Sequence, residues 1–182
     1  MRRPSRLVLE TQRHLKWRAL DGLEAVTMVL CGICLAGFST SVFFDVTTRT
    51  LGAPWLWLQE VTSTFFVYGI FIGAAAATRR NDHLYLSAIT ETMTGTTRLA
   101  VEIFNRLVVL AVACCMVWFG YINFRQGFGS FRMPSMTPIA SLYAAIPISG
   151  ALIALFTVEQ VVNGWRHGFE SAEPAHEEIH IL

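Results

Sequence analysis

Charge is what this sequence has least of, and its absence is patterned. Of 182 residues only 15% are Asp, Glu, Lys or Arg, against about 25% in an average soluble domain. Four stretches hold none at all: residues 25–44, 61–78, 107–124 and 133–158. Crossing the roughly 30 Å hydrocarbon core takes about 20 apolar residues in a helix, with a range of about 17–25. Each stretch is long enough, the two shorter ones with help from apolar flanks. Backbone polar groups in lipid must be satisfied within the segment, so these are helices rather than strands. The expected fold class is an all-α integral membrane protein with four transmembrane helices. The net charge of +1 says nothing about nucleic acid, and with no basic, aromatic-lined run no nucleic-acid partner is expected.

Other absences narrow the function. No ionisable residue lies near the middle of any span, and such residues are the usual mark of a substrate or proton path. Nor is there an internal repeat with broken helices around a midplane site, as secondary transporters typically have. All five histidines (His14, His83, His167, His176, His180) lie outside the spans, so a haem-holding anchor subunit lacks its axial ligands. A small homodimeric proton-coupled exporter needs a carboxylate in its first span, and Glu24 stands only at the mouth. The four cysteines fall inside spans as Cys31-x-x-Cys34 and Cys114–Cys115. Zinc or redox chemistry wants an accessible, hydrophilic setting; buried cysteines here read as small hydrophobes. No metal, no cofactor and no enzymatic activity are expected. A redox-enzyme anchor and the small exporter stay as alternatives to a membrane subunit that does no chemistry alone.

The few charges set the orientation. The segments alternating from the N-terminus carry six, one, four, two and one Lys or Arg, so one side holds eleven and the other three. The positive-inside rule then puts both termini and the 79–106 loop in the cytoplasm. The first apolar stretch is longer than a signal-peptide core of about 7–15 residues. Within "LAGFS", Phe38 stands where a lipoprotein cysteine would be, so the span is read as retained. The expected organisation is a basic lead (1–19), a membrane domain (20–165, spans about 20–44, 58–78, 103–124 and 138–159) and an acidic tail (166–182).

Local signals sharpen this outline. Gly52 and Pro54 break the first helix, and Trp55 and Trp57 follow where an aromatic belt is expected. Gly69, Gly73 and Ala77 form a small-xxx-small face suited to close helix packing. Arg79 and Arg80 close the second span; the helix dipole and the orientation rule explain them without a binding role. Leu84, Leu86 and Ile89 alternate with polar residues up to Gly95, a stretch too short and polar to span, which reads as interfacial. Thr96 or Thr97 offers a cap for a helix starting near Arg98. Thr137 then Pro138 reads as N-cap and first helical residue, and Pro147 should kink the fourth span. Arg49 and Glu60 share the outer loop, where they pair, bind a partner, or merely set topology.

The order of these pieces resembles the small permease subunit (DctQ type) of tripartite ATP-independent periplasmic (TRAP) transporters. The resemblance rests on "DVTTRT", "WLWLQE", "GIFIGAAAATRRNDHLYLS" and "YAAIPISGALIAL", and covers about residues 20–160. Carried over by position, Arg49, Trp57, Glu60, Gly73, Arg79, Arg80 and His83 match recurring residues of that family; Ser87 departs from it where members often have an acidic residue. With Gly69 and Pro147 from the local reading, these form the expected partner-interface or structural set. The resemblance implies a bacterial inner-membrane scaffold for a large permease subunit that imports an organic acid (a carboxylate) with a sodium gradient. It implies a periplasmic solute-binding protein and membrane lipid as further partners, with no substrate site in this chain.

Overall fold

The computed structural model describes residues 16–80 and 96–167. A 3-10 turn at Arg18–Leu20 leads into α1, Asp21–Thr50, followed by α2, Leu58–Arg80. Helix α3 spans Thr96–Gln126 and ends in a 3-10 turn at Gly127–Gly129. A two-residue hairpin, β1 (Phe131–Arg132) and β2 (Thr137–Pro138), precedes the short α4 (Ala140–Tyr143) and α5 (Ala145–His167). Four segments, Arg18–Thr50, Leu58–Arg80, Leu99–Gly129 and Ala140–Trp165, are long and apolar enough to cross a membrane. The all-α, four-span class expected from the sequence is what the chain adopts. The interfacial stretch after Arg80, with His83, the tail beyond His167 and the lead before Lys16 lie outside the described residues.

Helix α1 has 30 residues, about 45 Å at 1.5 Å each, so it exceeds the hydrocarbon thickness. It stops where Gly52 takes φ 74°, a conformation that suits only glycine without strain. The Gly52 amide donates to the Arg49 carbonyl at 3.1 Å and the Ala53 amide to the Thr48 carbonyl at 3.0 Å. These two bonds make a Schellman cap.

One expectation for the fourth span changes. Thr137 and Pro138 do not start a helix. They form β2, with Thr137 opposite Arg132 and Pro138 opposite Phe131. The ladder uses Thr137 as a strand residue, and Pro138, lacking an N–H, is tolerated at such an edge. The helix begins at Ala140. At Pro147 the helical bonding lapses locally: one turn residue, Ala144, separates α4 from α5 while keeping helical angles (φ −58°, ψ −28°). With no N–H, Pro147 cannot bond the Tyr143 carbonyl, and its ring crowds that turn.

The helices stand in the row α1–α2–α5–α3, so α1 and α3 are the edges. Between neighbours the approach is close because glycines leave room. A Cβ on Gly73 would crowd Cys31 Sγ at 3.3 Å, whereas one on Gly69 would make an ordinary contact with Cys34 at 3.4 Å. The small-residue face of α2 therefore serves this chain's own first span. At the α3–α5 seam, a Cβ on Gly120 would come within 2.9 Å of Pro147 and one on Gly150 within 2.9 Å of Met116. Across the α2–α5 seam the Ser149 hydroxyl donates to the Phe71 carbonyl at 2.6 Å and the Gln160 amide to the Thr78 carbonyl at 2.8 Å. Bulky residues such as Phe43, Phe104, Trp118 and Phe119 point outward. Small side chains inside and large ones outside suit packing in lipid, where apolar burial gives no drive between helices.

Candidate functional site: a buried arginine cluster and the hairpin rim

Arg79, in the last turn of α2, has no exposed surface. It points at the start of α1 and the second half of α5. Its Nε and Nη2 donate to the two Glu159 carboxylate oxygens, both at 3.1 Å, the bidentate geometry that a planar guanidinium favours. Its Nη1 donates to Glu24 at 2.6 Å and to the Leu20 carbonyl at 2.8 Å. Its Nη2 also reaches Asp21 at 3.2 Å and the Trp17 carbonyl at 3.1 Å. The guanidinium carbon lies 5.5 Å from the centre of the Phe156 ring, within cation–π range.

The sequence builds this cluster from simple parts. Asp21 and Glu24 occupy the first turn of α1, where the helix dipole favours acids, and their i, i+3 spacing puts them on one face. Glu24 and Glu159 are fully buried, which is tolerable only for paired charges. The turn ahead of α1 is clamped as well. The Trp17 amide donates to Glu159 at 2.5 Å and its indole N–H to Asn163 at 2.7 Å. Beside them Lys16 is buried, and that burial pushes its pKa below the ordinary lysine value, with Glu24 pulling the other way. Three elements far apart in sequence are thus tied at one membrane rim. Glu24, the exporter candidate, is engaged by Arg79, and no ionisable residue continues from it toward the span centre.

The opposite rim is looser. Arg49 and Glu60 do not pair across their loop. Arg49 turns back one helical turn to Asp45 at 3.0 Å, the cheaper i, i+4 contact within its own helix. Glu60 instead receives the Ser135 amide at 3.1 Å and the Ser135 hydroxyl. Arg132 donates to Thr64 at 2.9 Å and to the Glu60 carbonyl at 2.9 Å. The hairpin is therefore pinned to the first turns of α2. Trp57 is exposed and stacks on Trp55, with ring centres 5.9 Å apart.

The sequence-derived residues scatter over these two rims. Arg79 is the hub of one, while Arg80 beside it donates to Met28 Sδ at 3.4 Å. Trp57, Glu60 and Arg49 belong to the other, Gly69 and Gly73 to the α1–α2 seam, and Pro147 to the first turn of α5, against Gly120. His83 lies outside the described residues. Glu24 and Glu159 were read from the sequence only as span-end charges, Trp17 only as a residue near the headgroups, and Asp21 and Asn163 were not singled out. One signal was available. Two acids and an arginine at span ends on the same side of an antiparallel set must share a rim.

Comparison with known proteins fits this architecture. Residues 38–167 match the family model described as "Tripartite ATP-independent periplasmic transporters, DctQ component". The chain is 25% identical over 132 residues to the sialic acid TRAP transporter permease protein SiaT of Haemophilus influenzae, covering 71% of this chain and 21% of that protein. It is 22% identical over 142 residues to the sialic acid TRAP transporter small permease protein SiaQ of Vibrio cholerae, covering 77% of this chain and 79% of the relative. The chain thus spans about a fifth of the first relative's length and about four fifths of the second's. A match over most of the chain, on four helices that can span a membrane, gives the conclusion. The chain belongs to the DctQ component family of tripartite ATP-independent periplasmic transporters: it is a small permease subunit, a multi-pass protein of the bacterial inner membrane, and not an enzyme.

Proposed function

We propose that this subunit is a static scaffold, seated beside a large permease subunit that imports an organic acid with a sodium gradient. One observation supports this reading above the others. The charges at the α2–α5 rim are consumed by the buried Arg79 cluster, and no charge lies at the centre of any span. A carrier needs polar groups free to receive and release its cargo near the midplane; here they are spent on holding helices together. The relatives named for sialic acid, an organic acid, support a carboxylate substrate. A periplasmic solute-binding protein supplies that substrate, and the membrane domain rests against lipid along its outward apolar faces. The excess of Lys and Arg on one side supports cytoplasmic termini; in that orientation the Arg79 cluster lies at the cytoplasmic rim and the hairpin faces the periplasm.

The test is reconstitution. Proteoliposomes holding this chain alone, the chain with its large subunit, or the large subunit alone are given the binding protein, labelled organic acid and a sodium gradient. Sodium-dependent uptake is expected only with both subunits present. Uptake by this chain alone, or full uptake by the large subunit without it, contradicts the proposal.

A further inference from the structure

The two edges of the helix row differ in chemistry. The outward side of α1 presents Val26, Val29 and Ile33, with nothing within 4 Å of where a Cβ on Gly22 or Gly32 would lie. The outward side of α3, at its hairpin end, presents a groove of about 480 Å³ lined by Trp118, Tyr121, Ile122, Arg125 and Gln126. Trp118 is 68% and Tyr121 55% exposed. Arg49, Arg79, Arg80, Arg106 and Arg132 all have acceptors within the chain. Arg125 has none among the described residues. Trp, Tyr and Arg at a span end suit lipid headgroups as well; what sets this patch apart from the α1 edge is a groove that brings them together. Trp, Tyr and Arg in one partly enclosed patch are the residue types that dominate protein–protein interfaces.

From this we infer that the α3 groove is the docking surface for the large permease subunit, with Arg125 meeting a carboxylate or carbonyl acceptor on it. The occupant is argued from the relative in which the matched part is only 21% of one polypeptide named a permease. A domain covalently joined to a larger permease polypeptide works beside it. The groove lies on an edge of the row, where a large neighbour can approach without displacing α2 or α5. This inference rests on the scaffold reading given above and supplies the face on which the scaffold is used.

The experiment uses full-length chain co-expressed with its large subunit, and then purified subunits titrated against each other in detergent. Trp118→Ala and Arg125→Ala are each expected to weaken association at least about tenfold. Val29→Ala on α1 should leave it unchanged, with wild-type melting temperatures confirming that all three variants fold. A photo-crosslinking amino acid at position 118 should trap the large subunit, and one at position 29 should not. If wild-type subunits associate but the α3 variants do so equally well, the face assignment is overturned while the scaffold reading stands. If position 118 traps only phospholipid in the complex, the groove is a lipid site and the inference is likewise overturned. If wild-type subunits do not associate at all, the scaffold reading itself fails.

Discussion

At one rim Arg79 lies with no exposed surface among Asp21, Glu24 and Glu159, all three of its guanidinium nitrogens bonded within the chain. At the other, Arg125 stands exposed beside Trp118 and Tyr121 with no acceptor among the described residues. The same side chain therefore does two different jobs in one small protein. Where every donor is satisfied internally, the arginine fixes the relative positions of α1, α2 and α5. Where none is, the guanidinium stays available at the surface, the position on which the proposed docking face draws. The contrast separates an arginine that holds helices together from one that holds nothing within the described residues.

The sharpest way to break the comparison is to empty the closed rim. Arg79→Ala strands three carboxylates, two of them fully buried, and removing one partner of a buried ion network costs about 3–5 kcal/mol. A thermal or denaturant unfolding series in detergent should show a large loss, with Arg79→Lys intermediate because lysine cannot make the bidentate contact. Wild-type stability in Arg79→Ala would mean the cluster is ornamental.

A smaller effect is expected where helices touch. A Cβ at Gly150 would lie 2.9 Å from Met116 Cβ and 3.0 Å from the Ala113 carbonyl, so Gly150→Ala should destabilise by about 1–3 kcal/mol through overpacking. Gly32→Ala, with nothing within 4 Å, should be neutral or gain up to about 1 kcal/mol from helix propensity. The difference between the two glycines, read from melting temperatures of the purified subunit, tests whether the α3–α5 seam is closely packed where the face of α1 at Gly32 is open.

Smallest of all is the hairpin. Ser135→Ala removes the hydroxyl donor to Glu60 and leaves the amide donor in place. Faster hydrogen exchange at residues 131–138 with an unchanged global melt is the expected result. A global loss of stability would show the hairpin rim to be as integral as the Arg79 rim.

Much of this architecture was legible in the sequence because lipid imposes simple rules. Charge-free runs of span length gave the four helices, and Gly52 gave the end of the first. Thr137–Pro138 misled because the same pair suits a helix start and an edge strand, and only the Arg132–Thr137 pairing decides between them. The Arg79 cluster was half-visible. Each charge was seen at a span end, but which span ends are neighbours depends on the row order α1–α2–α5–α3, a tertiary property that no local pattern encodes. Arg49 and Glu60 failed as a pair for the converse reason. Nearness in sequence suggested a bond, whereas Asp45 on the same helix turn and Ser135 on the hairpin were better placed.

The claim at the centre of this account is that the subunit stays rigid throughout transport. The direct measurement is the distance between spin labels at positions 29 and 155, outward positions on α1 and α5, with Cys31, Cys34, Cys114 and Cys115 replaced. The labels are followed by pulsed electron paramagnetic resonance in the assembled transporter, with and without sodium, organic acid and the binding protein. The account predicts one narrow distance distribution that is unchanged across all conditions. A second population, or a shift of several ångströms when substrate and sodium are added, would contradict it.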